Sequence, residues 1–395
     1  MKFLSILTRE VKTMSTLNKA IKYRLYPTEE QMVLFAKTFG CCRKVYNLML
    51  SDKIKSYKNT GSFGSQTPAM YKKEYPYLKE VDSLALANVG LNLQQAMKNH
   101  FDKKRKKNTG FPKFKSKRKS RRSYTTNNQK GTVYITEAGI RLPKIGIVKA
   151  KIHRNPDLSW KLKSATVSQD SDGKYYVSVL FEYSSIITPI DANTVSDSRI
   201  IGLDYASNGL YVDSNGNVGT NHKYFKESEK KLAKAQRKLS KKKGSKKNEE
   251  KSNNYKKQQE QVNRIYRHVA NQRKDNLHKI SNEITNRYDI VCVESLDMKA
   301  MSNKKFGNGK ATMDNGYGMF LNMLEYKLAD RGKYLVRVDK WFASSQICHS
   351  CGTVHPEMKD LSNRTMRCDC GLVMSRDQNA AINIKNEGLR MLNIA

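Results

Sequence analysis

Two sets of residues carry types and settings that could do chemistry: three acids far apart in the chain, Asp204, Glu294 and Asp377, and four cysteines, Cys348, Cys351, Cys368 and Cys370. Asp204 ends an apolar run read as a strand over 199–204. Glu294 ends a second, the Ile290-Val291-Cys292-Val293 run. Asp377 opens the last helix, expected over 377–392. Three carboxylates brought together cannot all stay ionised without a counter-charge. Mg²⁺ or Mn²⁺ suits such hard oxygen ligands, and two such ions about 4 Å apart can activate a water and stabilise the leaving oxygen of a phosphodiester. Singly, an Asp at a strand end or helix start is commonly a turn or cap residue. Together, on this order of elements in a basic protein, the three point to an RNase H-like nuclease.

The cysteines form two knuckles, Cys348-His349-Ser350-Cys351-Gly352 and Cys368-Asp369-Cys370-Gly371. Four thiolates so spaced fit a tetrahedral Zn²⁺ site, structural because no coordination position stays open. The glycines permit the tight turns that aim backbone amides at sulfur. His349 and His355 are alternative ligands. Cys41, Cys42 and Cys292 sit in apolar patterns and read as core.

The elements that must position these groups fall into two halves. In the first, Ile21-Lys22-Tyr23-Arg24-Leu25-Tyr26 alternates like a strand and stops at Pro27. Thr28 and Gln31 form a capping-box pair for a helix whose face carries Phe35, Phe39, Cys42, Val45, Tyr46, Met49 and Leu50. A second helix is expected over 83–101, with Leu86, Val89, Leu93 and Met97 aligned. Strands follow between 132 and 183, including 146–152 and 175–181, and 184–197 reads as a linker. In the second half the expected order is β-β-β, a helical hairpin over 226–286, β-α-β, the cysteine insert and a final helix. A strand over 209–213 runs into a turn at 213–217. The hairpin seam is Leu232, Ala235 and Leu239 against Val262, Ile265, Tyr266 and Val269. A helix over 318–330 buries Phe320, Met323, Leu324 and Leu328 and ends at Gly332, and a strand follows over 334–338.

Composition narrows the function classes. Of 395 residues, 74 are Lys or Arg and 36 are Asp or Glu, a formal charge of +38 and a pI near 9.9. Such a surface repels itself and calls for a polyanion; nucleic acid fits, because each neutralised phosphate releases a counterion. With 38% hydrophobic residues a core is within reach, which excludes a wholly disordered chain. No apolar stretch approaches the ~18 residues of a membrane span, and the run near Met1 is too short for a secretory signal. Met14 is an alternative start. A cytoplasmic, nucleoid-associated protein is expected. Residues 103–122 hold twelve Lys or Arg and no acid, with Phe111 and Phe114 interleaved, a composition suited to phosphate contact with base stacking.

The chain resembles the TnpB (OrfB) proteins of insertion sequences. The resemblance rests on Lys22-Tyr23-Arg24-Leu25-Tyr26-Pro27 with Gln31, Gly40-Cys41-Cys42-Arg43-Lys44-Val45-Tyr46-Asn47, Phe111-Pro112-Lys113-Phe114-Lys115-Ser116, Ile201-Gly202-Leu203-Asp204, Val293-Glu294-Ser295-Leu296, the cysteine knuckles, and Arg376-Asp377-Gln378-Asn379-Ala380-Ala381-Ile382-Asn383-Ile384. It covers roughly 18–388. It implies a multidomain α+β chain: an N-terminal extension (1–17), a wedge-type β-barrel (18–30 and 110–190) with an inserted helical recognition lobe (31–109), and a RuvC-like domain of RNase H fold (198–395) carrying the helical hairpin (226–286) and a zinc ribbon (341–374). It implies an RNA-guided endonuclease that takes a guide RNA from the transposon end and cleaves double-stranded DNA beside a short adjacent motif, with no membrane and no small-molecule substrate. Asp204, Glu294 and Asp377 would hold Mg²⁺ (or Mn²⁺), and Cys348, Cys351, Cys368 and Cys370 one structural Zn²⁺. Two departures stand out: the second knuckle is CxC rather than CxxC, and Ser375 stands where many relatives carry an acid. Alternative readings are a nuclease-inactive guided repressor and a transposase acting on transposon ends.

Overall fold

A computed structural model describes residues 14–102, 110–220, 222–246, 249–303 and 309–394. The expected extension before Met14 and the first part of the basic run (103–109) lie outside the described residues. The chain divides into two compact units, residues 15–185 and residues 186 onward. No described helix is long and apolar enough to cross a membrane.

The first unit opens with β1 (Met14–Tyr26). Pro27 cannot continue the ladder, and Thr28 caps α1 (Glu29–Thr60). The Gln31 amide donates to the Thr28 hydroxyl at 3.3 Å and the Thr28 amide to the Gln31 side chain at 3.1 Å, the reciprocal pair expected of a capping box. After the short α2 (Tyr71–Glu74) comes α3 (Ser83–Phe101), capped by Asp82. Strands β2 (Arg122–Asn127), β3 (Tyr134–Thr136), β4 (Gly139–Leu142), β5 (Gly146–Lys151), β6 (Lys161–Gln169) and β7 (Tyr175–Ile186) join β1 in a seven-stranded sheet ordered β2-β6-β7-β1-β5-β4-β3. The apolar faces of α1 and α3 share one core with Tyr23, Leu25, Tyr124, Val167 and Val177. Each such buried side chain contributes about 1.5–3 kcal/mol of transfer free energy, which outweighs the polar character of the exposed helix faces. The second half of the basic run is pinned: Asn47 on α1 accepts from the Lys115 amide and donates to its carbonyl, both at 2.8 Å. Phe114 stays 59% exposed, so the loop holds a ring toward solvent among its cations.

The second unit holds β8 (Ile200–Tyr205), β9 (Tyr211–Asp213), α4 (Tyr224–Ser240), α5 (Asn253–Arg287), β10 (Ile290–Glu294), α6 (Met298–Met301), α7 (Gly309–Asn315), α8 (Tyr317–Ala329), β11 (Tyr334–Val338), β12 (Thr365–Arg367), β13 (Val373–Ser375) and α9 (Arg376–Met391). The main sheet is ordered β11-β10-β8-β9; the first three strands are parallel and β9 is antiparallel to β8. The expected third strand near 218 reduces to one bridge between Val212 and Val218. Alternate residues of β8 and β10 serve opposite faces, as strand geometry requires. Ile201, Leu203, Val291 and Val293 pack with Phe320 and Leu324 of α8 and with Leu277 and Ile284 of α5, whereas Ile200, Ile290 and Cys292 pack with Ile384 of α9. Burial on both faces explains the unbroken apolar runs.

The α4–α5 hairpin closes on Leu232, Ala235, Val262 and Ile265. Tyr266, expected in the seam, instead stands 44% exposed and its hydroxyl accepts from Gln236 at 2.9 Å; a phenol needs a polar partner, and the narrow seam offers none. At the N-terminal edge of the sheet, buried Asp289 is held by Arg199, bidentately, and by Lys333 at 2.9 Å. Arg199's hydrogen bonding, with Lys333, keeps that carboxyl down at about 2.

Candidate active site and metal-binding cysteines

β8 and β10 are parallel neighbours in register, with Val293 opposite Leu203. The next residue on each strand is Asp204 and Glu294, so the two acids leave the sheet side by side on strands about 4.8 Å apart. The third acid comes by way of α9. That helix crosses β8 at Gly202, where a Cβ would sit 2.0 Å from the Ala381 carbonyl oxygen. Lys385 further along α9 pairs with Asp197, before β8, at 2.6 Å; the helix therefore runs against the strand. Asp204 lies about 6.6 Å beyond Gly202 and Asp377 one turn, about 6 Å, before Ala381. Both steps lead to the same end of the sheet.

The electrostatics agree with that geometry. Burial pushes the Asp204 carboxyl up to about 8, reinforced by the negative charges of Asp377 and Glu294 and opposed by the Tyr205 amide and Arg376. Burial pushes Glu294 up to about 7. Asp377, in the first turn of α9, has Arg364 at 3.9 Å, but that guanidinium is 64% exposed and holds the acid weakly. Among the described residues, the four cysteines are the one set of three or more His, Cys, Asp or Glu whose ligand atoms lie within 4.8 Å of one another. The three acids converge without closing to that spacing. Their oxygen donors and mutual repulsion fit a divalent cation.

Two residues at this site were given no role in the sequence. Tyr317 opens α8 with its ring 4.9 Å from that of Tyr205. It is fully buried, its hydroxyl has no hydrogen-bond partner, and burial, with the charges of Asp204 and Glu294, raises its pKa. Arg376, also buried, carries a positive charge that acts on Asp204. Packing brings Tyr317 to the acids, whereas Arg376 arrives as the chain neighbour of Asp377.

The cysteines form a compact cage. Cys348 Sγ lies 3.7 Å from Cys370 Sγ, and Cys351 Sγ 3.5 Å from Cys368 Sγ. Four Zn–S bonds of about 2.3 Å at tetrahedral angles require S···S separations near 3.8 Å, so the donor set fits zinc. Gly352 (φ 79°) and Gly371 (φ 90°) turn back in the left-handed region that favours glycine, and the Gly352 and Gly371 amides donate to the Cys348 and Cys368 carbonyls. The one-residue CxC spacing therefore still closes a knuckle, assisted by the β12–β13 pair. Of the alternative histidines, His355 has its Nδ1 facing Glu357 at 3.0 Å; the backbone amide of His349 donates to the Asn379 side chain. Asn379 and Asn383 of α9 tie the cage to the helix that carries Asp377. Asn383 donates to the Ser344 and Ile347 carbonyls at 2.8 and 2.6 Å, and Asn379 to Ile347 at 2.7 Å.

A family profile described as "Probable transposase" matches residues 178–305, one described as "Cas12f1-like, TNB domain" matches 317–384, and one described as "Helix-turn-helix domain" matches 14–62. Over that last stretch the chain forms β1 and the single long α1. A candidate RNA-guided DNA endonuclease of Streptomyces pristinaespiralis is 34% identical over 95% of this chain and 90% of its own length. The chain belongs to the TnpB (OrfB) family. A second member, the candidate RNA-guided DNA endonuclease InsQ of Escherichia coli K12, is 28% identical over 95% of this chain and 93% of its own length. The solved structure of a Cas12f1–sgRNA–target DNA complex matches with a TM-score of 0.46 at 14% identity, covering 94% of this chain and 99% of that one.

Proposed function

We propose that this member is an RNA-guided endonuclease that cleaves double-stranded DNA beside a short adjacent motif by metal-dependent hydrolysis. The observation that carries the reading is the convergence of Asp204, Glu294 and Asp377 at one end of the β11-β10-β8-β9 sheet, in a chain of charge +38. The names of its relatives support RNA guidance and DNA cutting.

In this reading the unit of residues 15–185 supplies a wedge-type barrel with a helical recognition lobe, and the second unit a RuvC-like nuclease with a zinc ribbon. The basic loop at 110–122 and the α4–α5 hairpin hold an RNA from the transposon end and its heteroduplex through phosphates and groove shape. Base pairing then chooses the sequence. Asp204, Glu294 and Asp377 would hold Mg²⁺ or Mn²⁺, whose bound form lowers the pKa of a water and neutralises charge at the leaving oxygen. The chain's own share is positional. β8 and β10 fix two carboxylates on rigid neighbouring strands. α9 delivers the third, Arg376 offsets part of their negative charge, and Phe320, Leu324 and their neighbours back the site with an apolar wall. Cys348, Cys351, Cys368 and Cys370 would hold one Zn²⁺ that braces α9 through Asn379 and Asn383.

The test is cleavage of a motif-bearing plasmid by protein carrying its copurified RNA, with Mg²⁺. Asp204→Ala is expected to abolish cutting and leave RNA binding intact; cutting that survived the change would remove the proposed site. The "Probable transposase" description favours a second reading, which labelled transposon ends would expose as joined products.

A further inference from the structure

The sheet end that gathers the acids also carries a ring in an unusual setting. Trp341 is 82% exposed, although tryptophan is among the most buried residues on average. The other tryptophan, Trp160, is stacked on Tyr183 at 4.7 Å. Trp341 sits three residues past Val338, the last residue of β11 and the register partner of Glu294. Its Cα is thus at most about 11 Å from that of Val338, one strand spacing of about 4.8 Å from Glu294.

The ring is held out rather than left loose. The Trp341 amide donates to the Asp339 side chain at 2.8 Å, and the Phe342 amide to the Asp339 carbonyl at 3.1 Å, closing a turn. Phe342 then anchors the turn against the core beneath α9. The Ser295 amide donates to Val338 at 2.9 Å, tying the end of β11 to the residue after Glu294. The Lys340 ammonium lies over one face of the indole, 4.4 Å from its centre, and the other face meets solvent. An open indole face with an adjacent cation is the pairing that takes one unpaired base and its phosphate.

We propose that Trp341 and Lys340 form a stacking platform for an unpaired base of the DNA strand entering the acidic site. The proposal rests on the nuclease reading and deepens it. A strand seated on the platform lies within a few nucleotides of Glu294, so stacking positions the bond to be cut. A base inside a duplex keeps both faces stacked and cannot use the platform; the site therefore selects single-stranded over paired DNA.

The experiment uses the full chain with its zinc but without Mg²⁺ or Mn²⁺ and reads binding, not cutting. In a Trp160→Phe variant Trp341 is the sole tryptophan, and excitation to the red of tyrosine absorption reads it alone. Titration with oligo(dT), at salt high enough to suppress phosphate contacts elsewhere, is expected to quench that emission, and a duplex of equal length is not. Trp341→Ala is expected to weaken oligo(dT) binding about fivefold or more, since stacking of one base is worth about 1–3 kcal/mol, and Trp341→Phe to retain most of it. Unquenched emission, equal loss for duplex and single strand, or a Trp341→Ala protein that binds oligo(dT) as before but loses self-association would each overturn the platform. Those outcomes leave the Asp204→Ala cleavage test untouched, so the two readings fail separately.

Discussion

Gly202 is where the fold and the proposed chemistry meet. Adding one methyl group there, Gly202→Ala, places a Cβ 2.0 Å from the Ala381 carbonyl oxygen and 2.8 Å from the Lys385 amide nitrogen, both backbone atoms of α9. Ordinary contact begins near 3.4 Å, so the helix must retreat by about 1.4 Å. A helix moves as a unit, and Asp377 is one turn away; it withdraws from Asp204 and Glu294 by a similar amount. A misplacement of about 1 Å can cost about a hundredfold in rate, and overpacking costs about 1–3 kcal/mol of stability. Gly202→Ala is therefore expected to cut plasmid about a hundredfold more slowly and to unfold several degrees lower, with every acid still present. Gly388→Ala is the companion: its Cβ would meet the Cys292 sulfur at 2.3 Å near the other end of α9, and it is expected to cost stability more than rate. Cleavage and melting temperature are measured on the same preparations. A Gly202→Ala protein that cuts and melts like the parent would refute the helix crossing as the device that places Asp377.

Three other outcomes follow from the same structure. Arg199 and Lys333 hold Asp289 at about 2, below its unfolded value of about 3.9, so its contribution is present at neutral pH and lost as pH falls from about 4 to about 2. Asp289→Asn is expected to cost about 2 kcal/mol in urea unfolding at pH 7, with the gap to the parent closing in acid; a gap independent of pH would refute the pairing. The cysteine cage is expected to carry one zinc per chain by metal analysis, with Cys370→Ser or a strong chelator removing it and lowering the melting temperature; a native, metal-free protein of unchanged stability would exclude the site. Asn383→Leu strands the Ser344 carbonyl it serves at about 1–3 kcal/mol and leaves the Ile347 carbonyl to Asn379, and is expected to loosen zinc retention and slow cutting together.

Much of the local structure is written in short stretches of chain. Thr28 with Gln31 announces α1 because a cap is satisfied within one turn, and Gly352 and Gly371 announce the knuckles because only glycine turns there without strain. The apolar runs of β8 and β10 read as buried strands because a strand covered on both faces loses its alternation. Boundaries shift where local signals are weak: β9 begins at Tyr211 rather than 209, and α9 one residue before Asp377.

The sequence alone determined the charge that calls for a polyanion, the thiolate set that calls for zinc, and the identity of each acid, since these depend on residue type and near-neighbour spacing. Only the tertiary structure decided that α9 runs against β8, that Gly202 admits it, that Tyr317 joins the acids, and that the Trp341 ring stands open. Those facts depend on which faces pack together, and periodicity along a chain records that a face is buried but not what buries it.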